Sequence, residues 1–214
     1  MILSDRSILR HVNQGNITIS GFDVKNLGPN SYDVSLKDDI RIYNPHDPLT
    51  QVTVNDPFFG INKTIFALDV TQKTELIKLP KGEKDGVEGY WLYPNMLYIA
   101  ATNESIGTDM FVQELHGRSS LARYGVTIHA AAGFGDVGFH GTWTLEISVI
   151  HPVFIVPNMR IGQIQFSEID SLPLKLYKDK NSGAKYNNQD NPRGYIPDNE
   201  LLRKEELKRV YRDD

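Results

Sequence analysis

Thr142-Trp143-Thr144-Leu145-Glu146-Ile147 alternates polar and apolar side chains, and a period of two belongs to a strand. The alternation places Trp143, Leu145 and Ile147 on one face and Thr144 and Glu146 on the other. Strand character extends to Ile150, among neighbours of the same kind: Leu97 to Thr102, Phe111 to Leu115, Val126 to Ala130, Val153 to Val156 and Ile161 to Phe166. Turn residues fall between nearly all of them. Short strands at this spacing, with almost no helical period, predict an antiparallel sandwich or barrel rather than a parallel α/β sheet.

Working toward the N-terminus, Asn44 to Gly89 is less orderly. Its Pro45-His46-Asp47-Pro48, Asp56-Pro57 and Lys81-Gly82-Glu83-Lys84-Asp85-Gly86 clusters read as loops around short strands such as Gln51 to Val54 and Thr64 to Val70. This stretch reads as an elaborated connection, not a separate domain. Before it, Tyr32 to Leu36 and Ile40 to Tyr43 alternate and flank the polar group Lys37-Asp38-Asp39, which predicts a hairpin. Ser4 caps a predicted helix over Asp5 to Asn13, with Ile8, Leu9 and Val12 as its apolar stripe and Gly15 closing it. Toward the C-terminus, the polar segment from Lys178 to Asn191 has the composition of a flap or tail. A capped helix with a sparse apolar stripe is predicted over Pro197 to Arg212. The expected organisation is one β domain over 1–196, with 44–89 as the connection and 177–191 as a lid segment, followed by a helical tail over 197–214.

The chain has 214 residues, with 23 Lys+Arg against 27 Asp+Glu, a formal charge of −4 at pH 7. A chain of this length buries roughly 70–75% of its unfolded surface and needs no covalent staples. It contains no cysteine, which excludes disulfides, thiolate zinc ligands, iron–sulfur clusters and a cysteine nucleophile. The N-terminus becomes charged too early for a signal peptide, and no apolar run approaches the ~18–20 residues of a membrane span. A cytoplasmic protein that does not bind membranes is expected. The mildly acidic balance also argues against a nucleic-acid surface. A phosphate ligand would have to be met by local charge.

His116-Gly117-Arg118-Ser119-Ser120-Leu121-Ala122-Arg123-Tyr124-Gly125 gathers hydroxyls and guanidinium groups between two predicted strands. Arginine forks and serine donors are what an anion cradle requires. A polar helical turn with capping serines and solvated arginines would use the same residues. Further on, Ala130 to Gly141 carries four glycines around Asp136, which suits close backbone approach to a ligand or an ordinary hairpin loop. His116, His129 and His140 do not make a metal site by themselves, since transition-metal sites want three or four convergent donors.

Taken together, these segments resemble the deoxycytidine triphosphate (dCTP) deaminases of the trimeric dUTPase superfamily. The resemblance rests on Gly117 to Arg123, His129, Ala132-Gly133-Phe134-Gly135-Asp136-Val137-Gly138-Phe139-His140-Gly141 and Thr144-Leu145-Glu146. It is extended by Ile2-Leu3-Ser4-Asp5 with Ile8, Gly28 to Leu36, Arg160-Ile161-Gly162-Gln163-Ile164 and Lys185-Tyr186-Asn187-Asn188-Gln189. The long 44–89 connection, an extra residue or so before Lys185 and the tail after Pro197 depart from the family's pattern.

The resemblance implies a mainly β, distorted jelly-roll or barrel of the dUTPase type, assembled as a homotrimer with active sites between subunits. It also implies zinc-independent hydrolytic deamination of dCTP to dUTP and ammonia, with Glu146 shuttling protons and Ser119 and Arg123 beside the reacting base. One carboxylate can carry those protons in turn if its surroundings hold a suitable pKa. Nucleotide binding would fall to Arg118, Ser119, Ser120, Leu121, Ala122 and Arg123, to Ala132 and Asp136, and to Thr144, Leu145 and Glu146, with Tyr177, Lys185 and Gln189 from the C-terminal segment. Mg2+ would travel with the triphosphate, and no metal site of the chain's own is implied. dTTP is a candidate inhibitor. The alternatives are a bifunctional enzyme that forms dUMP and diphosphate, suggested by Ala132-Gly133, and a non-catalytic dNTP-binding trimer. A pure dUTPase fits less well, since that branch generally lacks a glutamate at the position of Glu146.

Overall fold

The computed structural model describes residues 1–56, 61–68, 73–130, 133–180 and 182–197. The first strands are β1 (Ile17–Ile19), β2 (Leu27–Gly28), β3 (Ser31–Ser35), β4 (Arg41–Tyr43), β5 (Gln51–Asp56), β6 (Ile61–Phe66), β7 (Leu76–Lys78) and β8 (Gly82–Lys84). They are followed by β9 (Val87–Leu92), β10 (Tyr98–Thr108), β11 (Val112–Gly117), β12 (Val126–Thr127), β13 (Phe134–Gly135), β14 (His140–Val149), β15 (Val153–Ile155) and β16 (Arg160–Ser167). Helix α1 (Asp5–Asn13) precedes all of these, and the single turn α2 (Ser119–Ala122) follows β11. No helix among the described residues is long and apolar enough to cross a membrane.

Two compact units emerge. Among the described residues, one consists of Met1–Ile42 and Lys78–Arg193, the other of residues from Tyr43–Ile77 and 194–197. In the first, β14 lies between β12 and β10, and β10 also pairs with β1 and β4. A second sheet runs β13-β11-β16-β3-β2, and β15-β9-β8 forms a third. The inward faces meet in one core: Tyr98, Ala100, Ile106, Trp143, Leu145 and Ile147 from the first sheet, and Tyr32, Val34, Leu115, Ile161, Ile164 and Phe166 from the second. This is the mainly β, curled antiparallel architecture expected of the chain. In the second unit, β5 and β6 form a hairpin in register from Gln51 opposite Phe66 to Asp56 opposite Ile61. The buried Thr50 hydroxyl donates to the carbonyls of Asn44 and Asp47.

Helix α1 forms as its sequence predicts. Ser4 Oγ accepts from Ser7 N at 3.4 Å, Ile8 is fully buried, and the chain leaves the helix through Gly15 at φ +75°. The hairpin expected between Tyr32–Leu36 and Ile40–Tyr43 does not form, because β3 pairs with β2 and β16 whereas β4 pairs with β10. The chain changes partners at one peptide: Leu36 N donates to Met159 O, and Lys37 N donates to Ala101 O. The residues that looked like a turn have other partners. Asp39 pairs with Arg41 at 2.6 Å, while Asp38 accepts from Lys81 and from the Tyr90 hydroxyl.

Lys81 to Gly86, expected as loop, contributes β8 and a tight hairpin into β9, with Asp85 at φ +53° and Gly86 at φ +78°. Asp-Gly is the dipeptide that tolerates two left-handed residues in a two-residue turn. Strand bounds also differ from expectation, most at Val126 to Ala130, which keeps only Val126–Thr127, and at Leu97 to Thr102, which becomes Tyr98–Thr108; the strand expected over Thr64 to Val70 is Ile61–Phe66, with 69 and 70 outside the described residues. Beyond Pro197, the helix expected over Pro197 to Arg212 lies outside the described residues.

Leu145 is fully buried at the centre of this core. Leu145→Ala should therefore lower the unfolding free energy by ~2–5 kcal/mol, while Ser148→Ala on the exposed face of the same strand stays within ~0.5 kcal/mol of wild type. Urea denaturation of the two variants checks the pair, and equal losses would show that the strand's two faces are not distinguished by burial.

Candidate active site

Burial along β14 follows the alternation read from its sequence. Trp143, Leu145, Ile147 and Val149 are buried, Thr144 and Glu146 are half-buried, and Ser148 is exposed. Glu146 lies opposite Ile99 of β10, and its backbone N donates to Ile128 O at 2.8 Å, tying the strand to the chain leaving β12. Thr144 and Glu146 share the non-core face of the strand.

The Arg118–Arg123 segment is a single helical turn after β11. Arg118 O accepts from the backbone N of Leu121 and of Ala122, and Gly125 at φ +70° leads the chain into β12. The segment is a polar turn whose serines do not cap it, since the N-cap position is Arg118 and no side chain makes a cap hydrogen bond, and it borders a cleft. The cleft has a volume of about 490 Å3 and is lined by Asp33, Gly117, Arg118, Ser119, Ser120, Ala122, Val126, Thr127, Ile128, His129 and Gln163. Ser119 and Ser120 are exposed, and the Arg118 side chain is half-buried. Asp33 and Gln163 sit opposite each other on β3 and β16, and both line the cleft.

The C-terminal segment packs along the start of β14. Thr142 N and Oγ1 both donate to Gln189 O, and Gln189 Nε2 donates to Thr142 O at 2.8 Å and to Thr144 Oγ1 at 2.9 Å. Gln189 is buried, and its Oε1 has no partner among the described residues. His140 N donates to Asn187 Oδ1, and Asn188 N donates to His140 O. This approach requires Gly141. At φ +149° it occupies a region that other residues rarely adopt, and a Cβ there would stand 3.0 Å from Gln189 N.

A second cleft, about 520 Å3, contains Asp136 and Tyr177 together with Val112, Asp170, Lys175 and Ser182. Tyr177 N donates to Val137 O, and the Tyr177 hydroxyl accepts from Tyr186 N. The root of the C-terminal segment is held by charge. Asp109 Oδ1 lies 3.0 Å from His140 Nε2, and Asp109 Oδ2 accepts from Lys178 Nζ. Partial burial pushes the Asp109 carboxyl up, but the hydrogen bonds from Lys178 and His140 outweigh it and hold the group below the ordinary carboxylate range.

The structure thus gathers Arg118, Ser119, Ser120 and Ala122 in one cleft, Asp136 and Tyr177 in another, and Thr144 and Gln189 in a hydrogen-bonded pair. Arg123, Leu145 and Glu146 line neither cleft. Arg123 is exposed and Leu145 is buried in the core, so only the backbone of Leu145 is left for a ligand. Lys185 is half-buried in the C-terminal segment, and Ala132 lies outside the described residues. Asp33, Thr127, His129 and Gln163 line the first cleft without having been assigned a role from sequence. For Asp33, Thr127 and Gln163 the signal was the outward phase of paired strands: in Ser31-Tyr32-Asp33-Val34-Ser35 the buried Tyr32 and Val34 leave Asp33 facing out, whereas His129 lies in the loop after β12. No group of three or more His, Asp or Glu side chains that could hold a metal ion occurs among the described residues.

Comparison with known proteins agrees with the architecture and the motifs. Residues 2–169 match the model of the dCTP deaminase-like family. A dUMP-forming dCTP deaminase from Clostridium beijerinckii is 38% identical over 188 residues, spanning 88% of this chain and 91% of that protein. One from Leptospira biflexa is 35% identical over 172 residues, spanning 79% of this chain and 83% of the relative. Among solved structures, the 2′-deoxycytidine 5′-triphosphate deaminase of Agrobacterium tumefaciens superposes with a TM-score of 0.52 at 20% identity. That match covers 78% of this chain and 48% of the other, and it is a likeness of fold. The chain belongs to the dCTP deaminase-like family.

The Asp109 clamp has a testable sign. Because its folded-state pKa is depressed, the docking it supports is fully present above the ordinary carboxylate pKa of ~3.9 and is lost as pH falls through the lower folded value. At neutral pH, Asp109→Asn should mimic that loss and accelerate amide hydrogen exchange at Thr142 and Asn188, with exchange in β11 unchanged. Unaltered exchange at both positions would mean that the clamp does not hold the segment.

Proposed function

We propose that this chain is a dCTP deaminase of the dUMP-forming kind, converting dCTP and two waters to dUMP, ammonia and diphosphate. The observation that carries the reading is the combination of a cleft edged by Arg118, Ser119 and Ser120 with the outward Glu146 of β14, in a chain that is 38% identical to a dUMP-forming relative. The names of the matched relatives favour dUMP over dUTP as the product. The bifunctional alternative therefore replaces the simple deaminase as the primary reading.

In this reading, the first water attacks carbon 4 of the cytosine. Glu146 takes that water's first proton and passes it to ring nitrogen 3, then takes the proton of the new carbon-4 hydroxyl and hands it to the amine as the carbonyl forms, the carbon–nitrogen bond breaks and ammonia leaves. Ser119 and Arg123 orient the base and water, so the acceleration comes from positioning and preorganised hydrogen bonds. The second water attacks the α-phosphorus, and the bond to the bridging oxygen breaks to release diphosphate. Arg118, Ser119 and Ser120 hold the triphosphate with the Mg2+ that accompanies it, and Lys185 and Gln189 close from the C-terminal segment. Asp136 receives the deoxyribose 3′-hydroxyl, and the backbone of Thr144 to Glu146, with Ala132, meets the pyrimidine.

A homotrimer belongs to the same reading. Its support is that the phosphate-side and sugar-side residues line two different clefts of one chain, an arrangement that subunit boundaries could complete. dTTP carries the same triphosphate and would compete for the same cleft.

Incubation with dCTP and Mg2+ should yield ammonia, dUMP and diphosphate in equal amounts. dUTP accumulating without diphosphate would reduce the activity to deamination alone, and an absence of ammonia would overturn the proposal. Glu146→Gln keeps shape and hydrogen bonding but removes the proton carrier, so kcat for ammonia release should fall by ~10²–10⁴-fold while dCTP binding stays near wild type. Unchanged turnover would refute Glu146 as the shuttle.

A further inference from the structure

The basic edge of the first cleft is shared among three charges. Asp33 Oδ2 lies 3.3 Å from Arg160 Nη1, a hydrogen bond, and 3.7 Å from Arg118 Nη2, an ion pair beyond hydrogen-bonding distance. The three groups come from adjacent strands of one sheet. Asp33 is mid-β3, Arg160 opens β16, and Arg118 follows Gly117 at the end of β11, where Gly117 pairs with Gly162 and Gly162 with Val34. The Asp33 side chain is 18% exposed, against 31% for Arg118 and 47% for Arg160. Asp33 and Arg118 line the cleft and Arg160 does not.

A carboxylate beside a lone guanidinium closes a two-pronged pair with it, and an incoming anion must then displace that carboxylate. Here the carboxylate's hydrogen bond goes to a second arginine outside the cleft. We propose that Arg160 is a positioning residue for Arg118: by engaging Asp33, it keeps that carboxylate from capturing Arg118 and leaves the Arg118 donors available to a polyphosphate. The inference rests on the reading that Arg118 meets the triphosphate. It assigns Arg160 no contact with the ligand, so its whole effect passes through Asp33.

Titration of the full-length protein with inorganic tripolyphosphate and Mg2+ by calorimetry reads this without requiring turnover, and steady-state kinetics with dCTP read it a second way. Arg160→Gln should weaken tripolyphosphate binding about tenfold, the scale of one charge-assisted hydrogen bond, and raise KM for dCTP by a similar factor with kcat near wild type. Adding Asp33→Asn to Arg160→Gln removes the competing carboxylate and should recover most of the lost affinity, which a merely structural role for Arg160 would not do. Arg160→Lys retains the charge without the fork and should fall between wild type and Arg160→Gln, and it carries the test if the glutamine variant fails to fold. Wild-type affinity in Arg160→Gln, or no recovery in the double variant, would overturn the proposal. A wild-type protein that releases no ammonia from dCTP yet shows this affinity pattern would end the deaminase reading and leave the role of Arg160 standing.

Discussion

Burial of Trp143, Leu145 and Ile147 on one face of β14 is the constraint on which the rest of the molecule depends. A strand's side chains alternate strictly, so committing these three to the core commits Thr144 and Glu146 to the opposite face. A slip of one residue against β10 would push the Glu146 carboxylate into an apolar interior, where an unpaired charge is very costly. The pairing of Glu146 with Ile99 and the bond from its backbone to Ile128 keep that register. The position of this carboxylate is thus held by packing on the far side of its own strand.

The same strand organises the C-terminal segment. Because Gly141 presents no side chain, the backbone around Gln189 can lie against β14 and exchange hydrogen bonds with Thr142, and the Gln189 amide reaches Thr144, two residues from Glu146. Asp109 fastens the other end of the segment through Lys178 and His140. In a chain of net charge −4, cationic groups near the cleft cannot rely on a general positive field. Arg118, Arg160 and Asp33 make a local arrangement in which one carboxylate is shared between two guanidinium groups.

Much of this was legible in advance, for definable reasons. The α1 cap at Ser4, the alternation of β14 and the outward phase of Asp33 are properties of a few consecutive residues, and local pattern reports them faithfully. The hairpin proposed across Lys37-Asp38-Asp39 failed because turn-like composition does not say which strands pair. Leu36 and Lys37, neighbours in the chain, donate to residues far apart in sequence, Met159 and Ala101. Asp85-Gly86 was read as loop although its dipeptide is a hairpin turn signal, and the strands beside it are short. Of the candidate site, the Arg118–Ser120 segment that edges the first cleft was visible as a motif. Its partition from Asp136 and Tyr177 was not, because cleft walls are assembled from strands remote in sequence.

The sequence by itself determined the strand period, the faces of β14 and the chemical groups available for catalysis, including the absence of any thiolate. These are local properties, set by the side chains and the two-residue repeat of an extended backbone. Only the tertiary structure decided that Asp33 and Gln163 line the cleft with Arg118, that Gln189 is sealed against Thr142 and Thr144, and that Arg160 competes for the Asp33 carboxylate. Those outcomes depend on which distant segments satisfy one another's backbone and charge, and one-dimensional periodicity holds no record of that choice.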